Sequence, residues 1–142
     1  MPSDRPTFPA RDTAGRIATV RDMLLGVLVW VTIGAVLLIA IDGLVSLAAG
    51  GFGHISGWIA GTLAVLMFIE DFRAWRVGPA RIGVALVGAA LGVLAGVVLA
   101  GQVGPVMPAV FSGTLAVLLA TVVYAIFWFY GVRIVAARLP EG

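Results

Sequence analysis

The sequence predicts an all-α, polytopic membrane protein built as a four-transmembrane-helix bundle, and three observations carry that expectation. Of 142 residues, 61% are hydrophobic and only 11% charged, where a soluble domain carries about 25% charged residues; the mean hydropathy is +1.13. Four apolar runs, 23–49, 55–75, 82–101 and 109–131, are each near or above the roughly 20 residues that cross a hydrocarbon core of about 30 Å as a helix. All nine basic residues are arginine, and they lie before the first run, between the second and third, or after the last. A soluble globular protein is excluded, and without period-two alternation a β-barrel is not expected.

Residues 1–22 form a tail containing Arg5, Arg11, Arg16 and Arg21. The run that follows is much longer than the roughly 7–15 residues of a signal-peptide core, so the tail is read as retained and on the cytoplasmic side. Its first nine residues are expected to be loose. Asp12 and Arg16 have the spacing of a helical ion pair, and Ile17, Val20 and Leu24 would share a face, which suggests a short interfacial helix leading into the first span. A transmembrane domain then occupies 23–138. Its outer connections, 50–54 and 102–108, are rich in Gly and Pro, which end helices by backbone freedom and by the missing amide donor. The middle connection is a tight Val77-Gly78-Pro79-Ala80 turn between Arg73, Arg76 and Arg81. Residues 139–142 form a C-terminal tail. With every arginine on one side, the positive-inside bias predicts a multi-pass protein of the cell membrane with both termini cytoplasmic.

Gly61-Thr62-Leu63-Ala64-Val65-Leu66 recurs as Gly113-Thr114-Leu115-Ala116-Val117-Leu118, and the same offset aligns Val45, Leu47 and Ala48 with Val97, Leu99 and Ala100. Two tandem helical hairpins in parallel orientation are one reading of this pattern. Coincidence within a Gly, Ala, Val and Leu alphabet is the other. Acids do not follow the offset, since Asp42 falls on Leu94 and Glu70 on Val122.

Gly88, Gly92, Gly96 and Ala100 recur every fourth residue in the third span. In lipid, helices gain little from hydrophobic burial against one another, so close approach over small residues supplies the contact. The strip serves either packing within the chain or association with a second copy or another membrane subunit. Aromatic residues, Phe68, Phe72 and Trp75 in the second span and Tyr124 to Tyr130 in the fourth, read as an interfacial belt. A quinone or lipid pocket is the functional alternative.

Asp42 is the one acid deep in an apolar run, where a carboxylate is costly unless it pairs, protonates or meets water. With Ser46 and His54, and with Gln102 nearby, it makes a candidate proton or cation site; a water-reached helix end is the plainer reading. Glu70, Asp71, Arg73 and Arg76 form a candidate inner polar cluster, with Glu70 and Arg73 spaced as an i,i+3 pair. Zero cysteines remove disulfides, thiolate metal sites and cysteine nucleophiles. One histidine is too little for a metal or haem assignment. No phosphate loop, hydrolase elbow, metalloprotease or dinucleotide motif is present. The four-span size is similar to that of small multidrug transporters, but Leu24–Ile41 carries no acid to match their embedded glutamate.

The expectation is therefore a non-enzymatic membrane protein without cofactor or metal, in contact with lipid and with copies of itself or another membrane subunit, and not with nucleic acid. The alternative is a small transporter or channel for protons, cations or a small solute, using Asp42 and Glu70.

Overall fold

A computed structural model describes residues 8–139; residues 1–7 of the nine expected to be loose, with Arg5, and the last three positions of the C-terminal tail lie outside them. Helix α1 covers Val20–Ala49, a 3-10 segment at Gly57–Gly61 leads into α2 at Thr62–Ala74, α3 covers Ala80–Val103 with a 3-10 turn at Gly104–Val106, and α4 covers Ala109–Arg138. No strand occurs among the described residues. Three of the helical stretches, Val20–Ala49, Ala80–Val106 and Ala109–Arg138, are long and apolar enough to cross a membrane.

Local chemistry sets these ends. Thr19 caps α1: its hydroxyl oxygen accepts from the Asp22 amide at 3.1 Å, and Asp22 places a negative charge in the first turn, where the helix dipole favours it. At the other end the Gly50 amide donates to the Ser46 carbonyl with Gly50 at φ +74°, a conformation that side-chain-bearing residues rarely adopt. Pro79 and Pro108 stand immediately before α3 and α4, where a missing amide donor does no harm.

Successive helical elements alternate in direction. At one end the start of α1, the end of α2 and the end of α4 meet, joined by Arg133 bonding to Ile17 and by Arg16 and Arg133 lying over Trp75. At the other end the Gly53 carbonyl accepts from the Val110 amide at 3.2 Å, tying the loop after α1 to the start of α4. Helix α4 is central: twice the share of its apolar stretch is buried compared with α1 or α3. The core is formed by Met23, Val27 and Val31 of α1, Ala64 and Met67 of α2, and Val110, Ala125 and Trp128 of α4, among others.

The segment before α2 is the tightest place in the fold. A side-chain carbon on Gly57 would collide with the Val110 carbonyl and the Thr114 amide, one on Gly113 would sit 2.6 Å from the Gly57 nitrogen, and one on Gly34 of α1 would strike the Ala60 carbonyl. A 3-10 coil is narrower than an α-helix, and this stretch runs as 3-10 where it is held between α1 and α4. As a result the second apolar run is not one long helix like its neighbours. The two halves related by the sequence offset also differ, because Gly61 lies at the 3-10 to α junction while Gly113 lies inside the continuous α4.

Among the described residues of the tail, no helix forms before Val20, where α1 begins. Residues 10–18 fold back on themselves: Ala18 donates to the Ala10 carbonyl, Asp12 donates to the Arg16 carbonyl, and Arg11 and Ile17 form an antiparallel bridge. Asp12 and Arg16 do pair, at 2.8 Å, but across this loop and not along a helix face. The cause is local, since one Asp12 oxygen accepts from both the Ala14 and Arg16 amides, giving the backbone an alternative to the helix.

The Gly57–Gly113 contact is testable. Gly113→Leu should cost about 1–3 kcal/mol of stability, read as a lower thermal midpoint in detergent, whereas Gly83→Leu, with open space around it, should melt like the parent. Equal midpoints for the two variants would show that the contact does not hold the fold.

Candidate functional site

At the glycine-rich end, Asp42 is only 2% exposed, and its carboxylate accepts from the Gly53 backbone amide at 2.5 Å. The loop folds so that this amide, and not a side chain, meets the acid; Gly50, Gly51 and Gly53 all have positive φ. Ser46 faces back to its own helix, with its hydroxyl donating to the Gly43 carbonyl at 2.7 Å. His54 is exposed, and Gln102 is exposed on α3. Among the described residues no hydrogen bond joins Asp42 to Ser46 or His54, and Asp42 anchors the loop through the Gly53 amide.

At the arginine-rich end the candidate cluster separates into two parts. Glu70 points outward and pairs with Arg11 at 3.1 Å, not with Arg73; Arg73 and Arg76 are exposed. Asp71 is fully buried. One of its oxygens accepts from the Ile17 amide and the other from the Trp128 indole N–H, both at 2.7 Å. Arg133 donates to the Ile17 carbonyl at 2.7 Å, so a single residue of the N-terminal loop is held through both its N–H and its C=O. Arg133 also lies 3.4 Å over the Phe129 ring, and Arg16 and Arg133 both lie within about 5 Å of the Trp75 ring. Arg81 closes the end of α2 by donating to the Phe72 and Trp75 carbonyls at 3.1 and 2.7 Å. Ile17, Trp128, Arg133 and Arg81 are the residues that sequence reasoning leaves out of this site.

Burial pushes the Asp12 carboxyl upward, but hydrogen bonds from the Arg16 amide and guanidinium and from the Ala14 amide outweigh it and hold the group below its ordinary 3.8. Among the described residues no three of His, Asp and Glu come together as a metal-holding group.

The glycine strip faces α4. Side-chain carbons built on Gly88 would meet Tyr124 and Phe127, on Gly92 the Ala120 carbonyl, and on Gly96 the Ala116 carbonyl and Trp58; Ala100 is half-buried one turn further on. Because α3 leans on α4, a groove of about 640 Å³ opens between α3 and α2 with α4 as its floor. Val65, Ile69 and Phe72 form one wall, Ala89 and Val93 the other, and Tyr124 lies on the floor. The groove's threonines are already occupied, Thr62 donating to the Ile59 carbonyl and Thr121 to that of Val117. Such a lining suits hydrocarbon and offers little to an ion.

The aromatic residues expected to form a belt turn largely inward. Phe68, Trp75, Trp128 and Phe129 are buried, and Phe68 packs edge-on against Tyr124 at 4.6 Å while Phe72 lies 5.6 Å from Trp128.

Asp71→Ala leaves two buried N–H groups without an acceptor, at about 1–3 kcal/mol each. Trypsin should then cut after Arg16 markedly faster than in the parent, and unchanged cleavage would mean that Asp71 does not hold the loop. Because the Asp12 carboxyl is held below its ordinary value, its contribution is complete above pH 3.8 and is lost as the pH falls through the lower, folded value. Amide exchange at Ala14 and Arg16 should accelerate over that acid range, and Asp12→Asn should remove the pH dependence.

No protein-family model, no curated protein and no solved structure matches this chain.

Proposed function

We propose that this chain is a non-enzymatic, multi-pass protein of the cell membrane that acts by association, as an accessory or scaffold subunit or as a homo-oligomer. The observation that carries the reading is the use made of the two buried acids. Asp42 and Asp71 bond loop amides and an indole N–H that hold the fold, while α1 and α3 present long apolar faces outward, including Val36, Leu44 and Leu47, and Leu86 and Leu94. Buried polar groups that are satisfied internally, beside wide apolar surface, suit a part that is fitted to lipid and to other membrane segments.

A four-helix, four-pass arrangement with both termini cytoplasmic is part of this reading. The 3-10 segment and α2 together, at rises of about 2.0 and 1.5 Å per residue, reach about 30 Å, enough to cross a hydrocarbon core. Arginines from the N-terminal loop, the end of α2, the start of α3 and the end of α4 gather at one end, as the positive-inside rule asks of a cytoplasmic face. The carrier alternative has less support, because Asp42 engages a backbone amide and the exposed Glu70 pairs with Arg11.

The test is the intact mass after extraction from the native membrane in a mild detergent or polymer disc. The expected result is a defined complex heavier than the 14.7 kDa chain. A lone monomer would overturn association and turn attention to flux in proteoliposomes with Asp42→Asn.

A further inference from the structure

We propose that the groove between α2 and α3 holds a hydrocarbon chain of an anionic phospholipid, whose phosphate rests against the arginines at its mouth. The inference deepens the membrane reading above and rests on it. Three observations point to this occupant. The groove's volume of about 640 Å³ lies within the range of ligand sites, roughly 300–1,000 Å³, and its walls are apolar along the depth where α3 and α4 would face acyl chains. An open apolar groove at that depth is filled by hydrocarbon, because a void forfeits dispersion contacts.

The second observation is charge. Phe72 is the last aromatic side chain of the groove, and the Arg81 guanidinium lies 4.5 Å over its ring. Arg73 follows Phe72 directly; Arg76, which borders the adjacent cleft lined by Thr13, Ala14 and Arg16, and Ala80, where α3 begins with its positive dipole end, follow in the same connection. Both nearby acids are already engaged, Glu70 by Arg11 and Asp71 by Ile17 and Trp128. Among the described residues, the mouth therefore presents positive charge with no unengaged carboxylate beside it.

The third is the role of each arginine. Arg81 is committed to the carbonyls that end α2. Arg73 and Arg76 are exposed and have no ion-pair partner among the described residues. Long side chains at a helix end reach phosphates at the headgroup level while their stems stay on apolar surface. Chain in the groove and phosphate on Arg73 and Arg76 satisfy both surfaces with one molecule.

The experiment uses the full chain, purified in mild detergent and exposed separately to phosphatidylglycerol, to phosphatidylcholine with the same acyl chains, and to inorganic phosphate. Native mass spectrometry and thermal midpoints are the readouts. One phosphatidylglycerol should be retained per chain and raise the midpoint, while phosphatidylcholine should be retained and stabilise less and inorganic phosphate should do neither. The double variant Arg73→Gln, Arg76→Gln should lose roughly thirtyfold in preference for phosphatidylglycerol over phosphatidylcholine, the scale expected of two arginines facing an anionic headgroup. Ala89→Trp fills the groove from α3 and Val65→Trp fills it from α2; whichever keeps the parent's circular dichroism should lose the bound lipid. Equal retention of the two lipids, retention by the groove-filling variants, stabilisation by free phosphate alone, or a lipid-free dimer would each overturn the proposal. Release of the chain from membranes by carbonate would instead overturn the membrane reading beneath it.

Discussion

Asp71 is a carboxylate with no exposed surface, on the last part of α2, and its two oxygens link pieces of the chain that are distant in sequence. An N–H from the loop before α1 and an N–H from the indole of α4 both end on it. In a water-poor environment an unpaired donor or acceptor is expensive, so the three pieces are held together by the cost of separating them. The arrangement also explains the other groups at that end. Arg133 completes the hold on Ile17 through its carbonyl, and the rings of Trp75 and Phe129 give the guanidinium groups a face to rest on. Arg81 takes the carbonyls that α2 leaves open as it ends.

The opposite end repeats the same logic with fewer parts. Asp42 accepts from Gly53, whose carbonyl in turn accepts from Val110, so one acid fixes the loop after α1 to the start of α4. Between the two ends the helices meet through glycine. Gly34, Gly57, Gly92 and Gly113 bring backbones together where any side chain would collide, which is how helices gain dispersion when lipid competes equally for apolar surface. Polar anchors at both ends and glycine contacts between them leave the outer faces of α1 and α3 without any part in holding the fold.

Much of this was legible from the sequence. The apolar runs place three long helices within a few residues of their observed ends except at the end of α4, which continues to Arg138 past the expected 131; its last turns are amphipathic and so fall outside an apolar window. The 3-10 start of the second run was not legible, because it depends on what Gly57 and Ala60 meet on α4 and α1 and not on their own propensities. Sequence spacing grouped Asp42 with Ser46 and His54, but the positive-φ glycines between them decide which group arrives at the acid, and a backbone amide leaves no mark in sequence. The partnership of Asp71 with Trp128 was hidden for a different reason. Trp128 belongs to an aromatic cluster that reads equally well as an interfacial belt, and only the rotation of α4 about its axis turns the indole inward. A bridged loop at Arg11–Ile17 was masked by the helix-like spacing of Asp12 and Arg16, a pair that an Asp-centred turn satisfies as readily.

The three-way junction on Asp71 has a consequence for the order in which the chain is completed. Ile17 is synthesised before both groups that hold it: Asp71, whose second oxygen is taken by Trp128 of α4, and Arg133, which comes later still. The loop before α1 leaves the ribosome ahead of α4 and therefore cannot find its full set of partners until α4 has been delivered. A chain interrupted within α4 would display its N-terminal loop undocked, together with a buried acid that has lost its indole partner. Both are features by which quality control could distinguish an unfinished molecule from a complete one.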